Sequence, residues 1–345
     1  MILSAIITAG IVVACGPQGN GGAPTGEVIS INGAGATFPA PLYQNWFKTY
    51  AQNVDPKVQI SYQSVGSGAG LEQYINGTVD FGASDAPMKG DRLKSFQEKY
   101  KANPIQVPMT GGAVVFAYNL PGVDELKLPR EVYCGIVTGK ITRWNDAKLV
   151  AANPGKTLPD KAITFAHRSD GSGTTFIFTN HINTVCPGWP AGVGTSVNWP
   201  VGVGGQGNEG VAAQIQQNEG TIGYVEYAYA KLNNLSRALV ENKAGKFIYP
   251  SPEAASKAFE GATIPEDFGL LVPDPKNPEA FPIAGLTWIM VYPEYADAKK
   301  WQALKGALTW ALTDGKSITE KLDYVPMPPD IVERVKATLE KVKTA

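Results

Sequence analysis

The chain has 345 residues, of which 43% are apolar and 18% charged, and its formal net charge is −1 at pH 7. This length and apolar content predict a globular protein of two domains, whereas the near-zero charge argues against a nucleic-acid-binding protein, which usually carries a basic excess. The 38 glycines and 26 prolines are dispersed rather than periodic, which excludes a fibrous chain.

The N-terminal segment has the features of an export signal. Residues 2–14 are an apolar run that is too short to span a membrane and is typical of a signal-peptide core. The run ends in Val-Val-Ala before Cys15, which resembles a bacterial lipoprotein processing site, although no Lys or Arg precedes it. We expect residues 1–14 to be a signal peptide and Cys15 to carry lipid, with simple secretion as the alternative. The Gly- and Pro-rich residues 15–29 are expected to be a tether.

The first glycine-rich junction is GAGATFP at residues 33–39. Apolar residues at helical spacing follow it, and the proline near the first turn favours a helix start. Backbone N–H groups at a helix start have no partner and lie at the positive end of the helix dipole. The hydroxyl of Thr37 and the amides of Thr37 and Phe38 are therefore candidate anion ligands, and an ordinary packing turn is the alternative.

The second junction, SVGSGAG at residues 64–70, follows an alternating, strand-like run and precedes a short helical stretch. In α/β folds this order of strand, glycine turn and helix places helix starts at a ligand crevice. Ser67 is therefore a second candidate anion ligand, with a plain turn as the alternative.

Asp85 follows the expected buried strand Val79–Ala83 and lies in a turn beyond its end. It could simply cap that turn. A carboxylate in an anion site repels a fully ionised anion but accepts a hydrogen bond from one that still carries a proton. Phosphate keeps a proton near neutral pH and sulfate does not, so Asp85 would select against sulfate.

The third junction, RSDGSGTT at residues 168–175, combines a permanently charged guanidinium with two hydroxyl groups before an apolar, helix-like stretch. Arg168 suits tetrahedral oxyanions, and the hydroxyls of Ser172 and Thr174 add donors. One such loop is also typical of an ordinary polar turn. Three such junctions, each with a hydroxyl residue, favour an anion site.

The two cysteines of the mature chain other than Cys15 are Cys134 and Cys186. An oxidising compartment permits a disulfide between them, but the sequence cannot supply the geometry, and both states stay open. The two histidines, at positions 167 and 181, have no metal-ligand spacing with them, so neither a metal site nor a cofactor is expected.

The later part of the chain contains further expected elements. Leu286–Val291 is expected to be a buried strand, residues 301–312 a core helix and residues 331–339 a closing amphipathic helix. The aromatic stretch at 224–230 is expected to be a packed strand or turn. Asn208 and Glu209 lie at another strand-to-helix junction, where they could border a cleft.

Seven segments of the chain resemble the phosphate-binding proteins (PstS) of bacterial ABC phosphate importers, over residues 31–335. They are GAGATFPAPLYQNW, GSGAGLEQYINGTVDFGASDAP, GKITRWND, HRSDGSGTTFIFT, VGVGGQGNEGVAA, GTIGYVEYAYA and LDYVPMP. The resemblance implies an α/β periplasmic-binding-protein fold (type II-like) with a ligand cleft between two lobes. The phosphate ligands that it implies are Thr37, Phe38, Ser67, Asp85, Arg168, Ser172, Gly173 and Thr174. It also implies that Asp170 holds the arginine in place.

The expected domains are residues 30–107 with 284–345 as lobe I and residues 108–283 as lobe II. The expected function is capture of inorganic phosphate and its delivery to ABC transporter permease subunits, by a monomer in the periplasm or on the outer face of the cytoplasmic membrane. The alternatives are a binding protein for another tetrahedral oxyanion, a secreted phosphatase-like protein and an adhesion protein on the same fold.

Overall fold

The computed structural model describes residues 27–345, which form the mixed α/β fold that the sequence predicts. The strands are β1 (Ile29–Gly35), β2 (Val58–Ser64), β3 (Phe81–Ser84), β4 (Ile105–Tyr118), β5 (Lys127–Leu128), β6 (Thr164–Arg168), β7 (Val203–Gly205), β8 (Thr221–Glu226), β9 (Ser236–Arg237), β10 (Leu239–Glu241), β11 (Phe247–Ile248), β12 (Ala284–Val291), β13 (Glu294–Tyr295) and β14 (Lys343–Thr344). The helices are α1 (Ala40–Asn53), α2 (Ser67–Asn76), α3 (Gly90–Tyr100), α4 (Arg130–Val137), α5 (Ala147–Ala152), α6 (Gly173–Val185), α7 (Gly207–Gln217), α8 (Tyr227–Leu232), α9 (Pro252–Ser256), α10 (Ala298–Leu312), α11 (Lys316–Lys321) and α12 (Pro329–Leu339).

The main sheet of the described part of the chain has nine strands in the order β2-β1-β3-β12-β4-β8-β6-β7, with β9 also paired to β4. Strand β1 is parallel to β2 and to β3, and β6 is parallel to β7 and to β8. Strand β12 is antiparallel to both of its neighbours, so residues near the C-terminus complete a sheet that the N-terminal residues begin.

Strand β4 connects the two parts of this sheet. Its residues Ile105–Ala113 pair with β12, and its residues Val114–Tyr118 pair with β8. We call the part that contains β1, β2, β3 and β12 the first lobe, and the part that contains β6, β7 and β8 the second lobe. Gly111 and Gly112 lie close to the point where β4 passes from one lobe to the other.

Aromatic and aliphatic side chains at helical spacing form the core of the first lobe. Trp46 on α1 is buried and donates from Nε1 to the carbonyl of Gly315 at 2.9 Å, and Phe47 packs edge-on against Phe81 of β3 at 5.8 Å. The predicted core helix and closing helix correspond to α10 and α12, and the predicted buried strand corresponds to β12.

Between residues 27 and 345, five helices start directly after parallel strands of the main sheet. These are α1 after β1, α2 after β2, α6 after β6, α7 after β7 and α8 after β8. Because the carboxyl ends of parallel strands lie at the same edge of a sheet, the first lobe presents two of these helix N-termini on one side and the second lobe presents three. The Ser172 side chain caps α6 by accepting a hydrogen bond from the amide of Thr175 at 3.0 Å.

A disulfide joins Cys134 on α4 to Cys186 at the C-terminal end of α6, with the Cα atoms 5.4 Å apart. The two cysteines are 52 residues apart in the chain. A crosslink of that span restricts the unfolded chain and stabilises the folded one by about 4 kcal/mol on the loop-entropy estimate. The helix α6 separates the bond from the edge of the sheet by about 20 Å, since its 13 residues each rise about 1.5 Å.

Replacing both bridged cysteines with serine is therefore expected to lower the free energy of unfolding by about 2–4 kcal/mol. Chemical denaturation of the wild type and of the double variant, each with and without reductant, measures the effect. The double variant should not respond to reductant. Equal denaturation midpoints for the wild type and the double variant under oxidising conditions would contradict the prediction.

His181 on α6 is fully buried between two hydrogen-bonding groups. Its Nε2 lies 3.0 Å from the hydroxyl of Tyr133, and its Nδ1 lies 2.6 Å from the carbonyl of Pro273. Burial lowers the pKa of His181 to about 4, so the ring is neutral near pH 7. These contacts give it a packing role in the second lobe.

None of the helices between residues 27 and 345 combines the length and the apolar character needed to cross a lipid bilayer. The expected signal peptide, the expected lipid attachment at Cys15 and most of the expected tether lie outside the described residues.

Candidate anion-binding site

The predicted ligands of the three glycine-rich junctions come together between the two lobes. The first lobe supplies the starts of α1 and α2 and the turn after β3, and the second lobe supplies the end of β6 and the starts of α6 and α7. The predicted residues share deep burial: Thr37, Phe38, Ser67, Asp85, Arg168, Ser172, Gly173 and Thr174 are all buried. An anion held there would face helix N-termini from both lobes.

Arg168 lies at the centre of this site and is only 3% exposed. Its Nε donates to Oδ1 of Asp170 at 2.7 Å, and its Nη2 donates to Oδ2 of the same residue. Its Nη1 reaches the first lobe and donates to the hydroxyl of Thr37 at 3.1 Å. When a carboxylate binds one side of a guanidinium through two hydrogen bonds, the remaining N–H groups of the guanidinium have a fixed direction.

Asp170 holds Arg168 as an ionised partner. Its burial alone would raise its pKa, but the hydrogen bonds and the charge of Arg168 hold that pKa below its ordinary value. The backbone amide of Gly207, at the start of α7, also donates to Asp170 Oδ1 at 3.0 Å. The carboxylate therefore links the arginine to the second helix start of its lobe.

Asn208 bridges two of the predicted ligand hydroxyls. Its Nδ2 donates to Thr37 Oγ1 at 2.8 Å and to Thr174 Oγ1 at 3.0 Å, and its backbone amide donates to Thr37 Oγ1 at 3.2 Å. Because each hydroxyl oxygen is occupied as an acceptor, its own proton is free to be donated elsewhere. The sequence suggested only that Asn208 could border a cleft. In the structure Asn208 lies inside the site, where it is 0% exposed.

Ser67 ties the starts of α2 and α6 together. Its hydroxyl accepts hydrogen bonds from the amide of Gly173 at 3.0 Å and from the amide of Asp85 at 3.4 Å. Nearby, the amide of Gly68 donates to the carbonyl of Gly171 at 2.8 Å. The bonds of Gly173 and Gly171 join the second lobe to the first, so the structure is that of the closed arrangement.

Tyrosine side chains hold the loop at Thr37 and Phe38. The hydroxyl of Tyr229 donates to the carbonyl of Thr37 at 2.7 Å, and the hydroxyl of Tyr324 donates to the carbonyl of Phe38 at 2.8 Å. Tyr229 belongs to the aromatic stretch expected as a packed strand or turn. The expected packed strand is confirmed for the end of β8, but the stretch continues as the helix α8, and it contacts the site.

Asp85 is 1% exposed, and neither of its carboxylate oxygens accepts a hydrogen bond from any residue in the 27–345 range. Burial raises its pKa to about 7, against the opposing effects of the Thr287 hydroxyl and of the charge of Arg168. A carboxyl group in this state can accept a proton from a ligand or return one near neutral pH. It is therefore the acidic partner that a partly protonated oxyanion requires.

The start of α6 approaches Asp85 so closely that only glycine fits at position 173. A methyl group there would overlap Asp85 Oδ2 and would lie 2.6 Å from the Asp85 backbone nitrogen. The two lobes could not come this close with any larger residue, which is a steric reason for Gly173 beyond its expected amide contact.

Sequence reasoning missed Glu226, a second buried acid at the end of β8. Its Oε2 accepts a hydrogen bond from the amide of Ala228 at 2.9 Å and lies 3.3 Å from the hydroxyl of Tyr324. Burial raises its pKa to about 8, so it is largely neutral at pH 7. The apolar and aromatic residues around it in the sequence gave the pattern of a packed strand, and that pattern concealed the acid.

Above pH 4.5 an unfolded chain releases the proton of Glu226, whereas the folded protein keeps this proton up to about pH 8. The free energy of unfolding of the protein should therefore fall as the pH rises from 4.5 to about 8. The fall from this one group is at most about 1.4 kcal/mol per pH unit. The glutamine in Glu226→Gln does not titrate, so the free energy of unfolding of this variant should decline less steeply with pH. The decline that remains would include the contribution of Asp85.

Denaturation curves without added anion, recorded at about pH 5 and about pH 9, measure this difference. Glu279→Gln is the control, since Glu279 is exposed and pairs with Lys246 at the surface. Parallel pH profiles for the wild type and Glu226→Gln would rule out Glu226 as a source of the decline.

His167, which precedes Arg168, contributes no charge to the site. Its ring stacks on Trp199 at 4.9 Å, and burial lowers its pKa below the ordinary value. Across residues 27–345, acidic, histidine and cysteine side chains form no cluster that could hold a metal ion. The site's positive character therefore comes from one guanidinium, from backbone amides and from hydroxyl donors.

Comparisons with known proteins give consistent results. A family profile described as a PBP superfamily domain matches residues 20–314. The phosphate-binding protein PstS of Pasteurella multocida (strain Pm70) is 41% identical over 322 residues, covering 91% of this chain and 90% of that protein. The phosphate-binding protein PstS of Haemophilus influenzae (strain ATCC 51907 / DSM 11121 / KW20 / Rd) is 41% identical over 320 residues, covering 91% and 93%.

Among solved structures, a high-affinity periplasmic phosphate-binding protein (PfluDING) bound with phosphate superimposes with a TM-score of 0.75. The match covers 89% of this chain and 93% of that one, at 22% sequence identity. This likeness concerns the fold, and it confirms the predicted two-lobed architecture.

Proposed function

This chain belongs to the phosphate-binding PstS family of the PBP superfamily, and from that premise we propose that it captures inorganic phosphate between its lobes and delivers it to the permease of an ABC importer. The observation that carries the proposal is the convergence of Arg168, several hydroxyl groups and the unpartnered carboxyl of Asp85 in one buried place. It acts as a binding protein and not as an enzyme, in keeping with its relatives.

We propose that residues of both lobes contact the anion. Lobe I, residues 30–107 and 284–345, would supply Thr37, the amide of Phe38, Ser67 and Asp85. Lobe II, residues 108–283, would supply Arg168, Ser172, Gly173 and Thr174. Asp170 would orient the arginine without touching the ligand, and Asn208 would orient the hydroxyls of Thr37 and Thr174.

Affinity for the anion follows from the number of donors. Each charge-assisted hydrogen bond contributes about 1.5–3 kcal/mol net, and micromolar affinity requires about 8 kcal/mol. The closed arrangement gains this free energy only when the ligand is bound, because the donors lie on both lobes. Closure would then create the surface that the permease recognises.

Selectivity is assigned to Asp85. Every other predicted ligand donates hydrogen bonds, so the site without this acid would favour any tetrahedral oxyanion. The carboxylate accepts a hydrogen bond from the proton that phosphate retains near neutral pH and that sulfate lacks. Discrimination therefore depends on one acceptor among many donors.

We further propose that the protein acts as a monomer at the outer face of the cytoplasmic membrane or in the periplasm, anchored by lipid on Cys15. The supporting feature is the sequence before and at Cys15. Metabolic labelling with a radioactive fatty acid tests this, and a wild type that incorporates no more label than Cys15→Ala would refute the anchor.

Calorimetric titration of the purified protein, stripped of co-purified anion, tests the function. Phosphate and its close analogue arsenate should bind, and sulfate and molybdate should bind far more weakly. Tighter binding of sulfate than of phosphate would favour the alternative of another oxyanion carrier. A phosphatase would be favoured if the protein hydrolysed a chromogenic phosphate ester and Ser172→Ala abolished this activity. An adhesion role would be favoured if cells with Arg168→Ala grew as well as the wild type on limiting phosphate.

A further inference from the structure

A group of buried oxygens around Asp85 has no hydrogen-bond partner among the residues that the structure describes. The group comprises both carboxylate oxygens of Asp85, the hydroxyl of Thr287 on β12 and the hydroxyl of Tyr43 on α1. These side chains are 1%, 0% and 0% exposed, respectively. Burying a polar group without a partner costs free energy, so their concentration in one place requires an explanation.

The strand register places Thr287 beside Asp85. Strands β3 and β12 run antiparallel, and their pairing ends with Ser84 opposite Trp288, so Asp85 and Thr287 each lie one residue beyond this last pair. Burial raises the pKa of both Asp85 and Tyr43, and the neighbouring Thr287 hydroxyl opposes the rise in each. Thr287 is therefore a neighbour of both the phenol and the carboxyl.

The opposite side of Asp85 faces the second lobe. Its Oδ2 is the atom that a methyl group at Gly173 would overlap, so this oxygen lies against the start of α6, where the anion is proposed to bind. A hydroxyl donor on the β12 side can therefore engage Asp85 without occupying the space of the ligand.

We propose that Thr287 is a positioning residue that donates a hydrogen bond to Asp85 and thereby keeps a carboxylate oxygen available to accept a hydrogen bond from a partly protonated oxyanion. Tyr43 supports it by donating to Thr287 Oγ1, which directs the threonine proton toward Asp85. The inference rests on the proposed function and deepens it, because it names what sets the selectivity of Asp85.

The physical reason is that a hydrogen bond donated to a carboxylate stabilises its ionised, acceptor form. Without the bond, burial would keep Asp85 protonated at higher pH, and a protonated carboxyl is a donor. A donor at this position favours a fully ionised anion such as sulfate. Thr287 would thus hold Asp85 in the state that distinguishes the two ligands.

Other titratable and charged groups also act on Asp85, and they are the same in every variant used below. They are Arg168 on β6, Glu226 on β8, Tyr62 on β2, Tyr229 on α8 and Tyr324. The Thr287 substitution leaves all of them in place, so a change in pH dependence reports the hydroxyl itself.

The test uses Thr287→Val, which removes the hydroxyl and preserves the shape of the side chain. Affinities for phosphate and for sulfate are measured by titration calorimetry between about pH 5.5 and about pH 8.5, a range that brackets the Asp85 pKa of about 7. Thr110→Val is the matched control, because Thr110 is equally buried on the adjacent strand β4 but donates to the carbonyl of Val325 at 2.8 Å.

We expect Thr287→Val to lower the ratio of phosphate to sulfate affinity by about tenfold or more, because the variant loses one hydrogen bond to a charged group. Its phosphate affinity should also reach its maximum at a higher pH than in the wild type. Thr110→Val should keep the wild-type ratio, and Tyr43→Phe should shift the ratio in the same direction as Thr287→Val by a smaller factor.

A purely structural role for Thr287 predicts something else. Valine would then be neutral or stabilising, since it removes an unpaired buried hydroxyl, and the ratio and the pH profile would stay unchanged. That result in a folded Thr287→Val protein would overturn the inference, as would an equal change in Thr110→Val. A wild type that binds no phosphate would instead refute the proposed function, so the two failures are distinguishable.

Discussion

Arg168→Ala is expected to lower phosphate affinity by about a thousandfold or more. The variant loses the charge-assisted hydrogen bonds of the guanidinium, each worth about 1.5–3 kcal/mol, and every 1.4 kcal/mol is about tenfold in affinity. It also leaves Asp170 without the cation that neutralises it, so a carboxylate would then repel the incoming anion. Titration calorimetry of the stripped variant measures the loss.

Arg130→Ala is the matched control for this substitution. Arg130 lies in the second lobe and forms a two-pronged pair with Asp274, at 2.7 and 3.2 Å, but it belongs to α4 and not to the anion site. Its removal should reduce stability and leave the affinity for phosphate nearly unchanged. Comparable losses of affinity in both variants would mean that Arg168 acts through stability rather than through contact.

Asp85→Asn is expected to have the second largest effect, in this case on selectivity. An amide group offers a donor where the carboxyl offered an acceptor, so sulfate should bind more tightly and phosphate more weakly. We expect the ratio of phosphate to sulfate affinity to fall by about a hundredfold, since one favourable charge-assisted bond is lost and one repulsive contact is relieved. Competition between the two anions at about pH 5.5 and at about pH 8.5, on either side of the Asp85 pKa of about 7, measures the ratio.

Asp80→Asn serves as the control for the acid itself. Asp80 directly precedes β3, whereas Asp85 directly follows it. Asp80 accepts hydrogen bonds from the amide of Asn32 and from Lys300. Its substitution should leave the ratio of affinities unchanged. A wild-type ratio in Asp85→Asn would remove this carboxyl from the account of selectivity.

The sequence was sufficient to predict the parts of the site that depend on local chemistry. Glycine-rich turns with hydroxyl residues before apolar helices are recognisable because helix starts and oxyanions interact through the backbone. Thr37, Ser67 and Arg168 therefore stood out individually, and the resemblance to a family supplied the rest of the predicted set. The resemblance also implied the α/β fold, in keeping with the order of strand, glycine turn and helix at the second junction.

The supporting residues could not be predicted, because their roles arise only in the folded chain. Glu226 and Thr287 lie within apolar strands and have the local pattern of core residues. Asn208 was noted at a strand-to-helix junction, but nothing in the sequence indicated that its amide would bridge hydroxyls from opposite lobes. Such roles depend on contacts between residues that are far apart in the chain, and a single sequence does not specify them.

The placement of β12 between β3 and β4 has a consequence for biosynthesis. Residues 27–107 are translated early, yet the strand that completes their sheet is made only when residues 284–291 leave the ribosome. Until then β3 and β4 expose unpaired edges, and contacts of such long sequence separation form slowly. The complete sheet of the first lobe therefore cannot form until residues 284–291 have been synthesised.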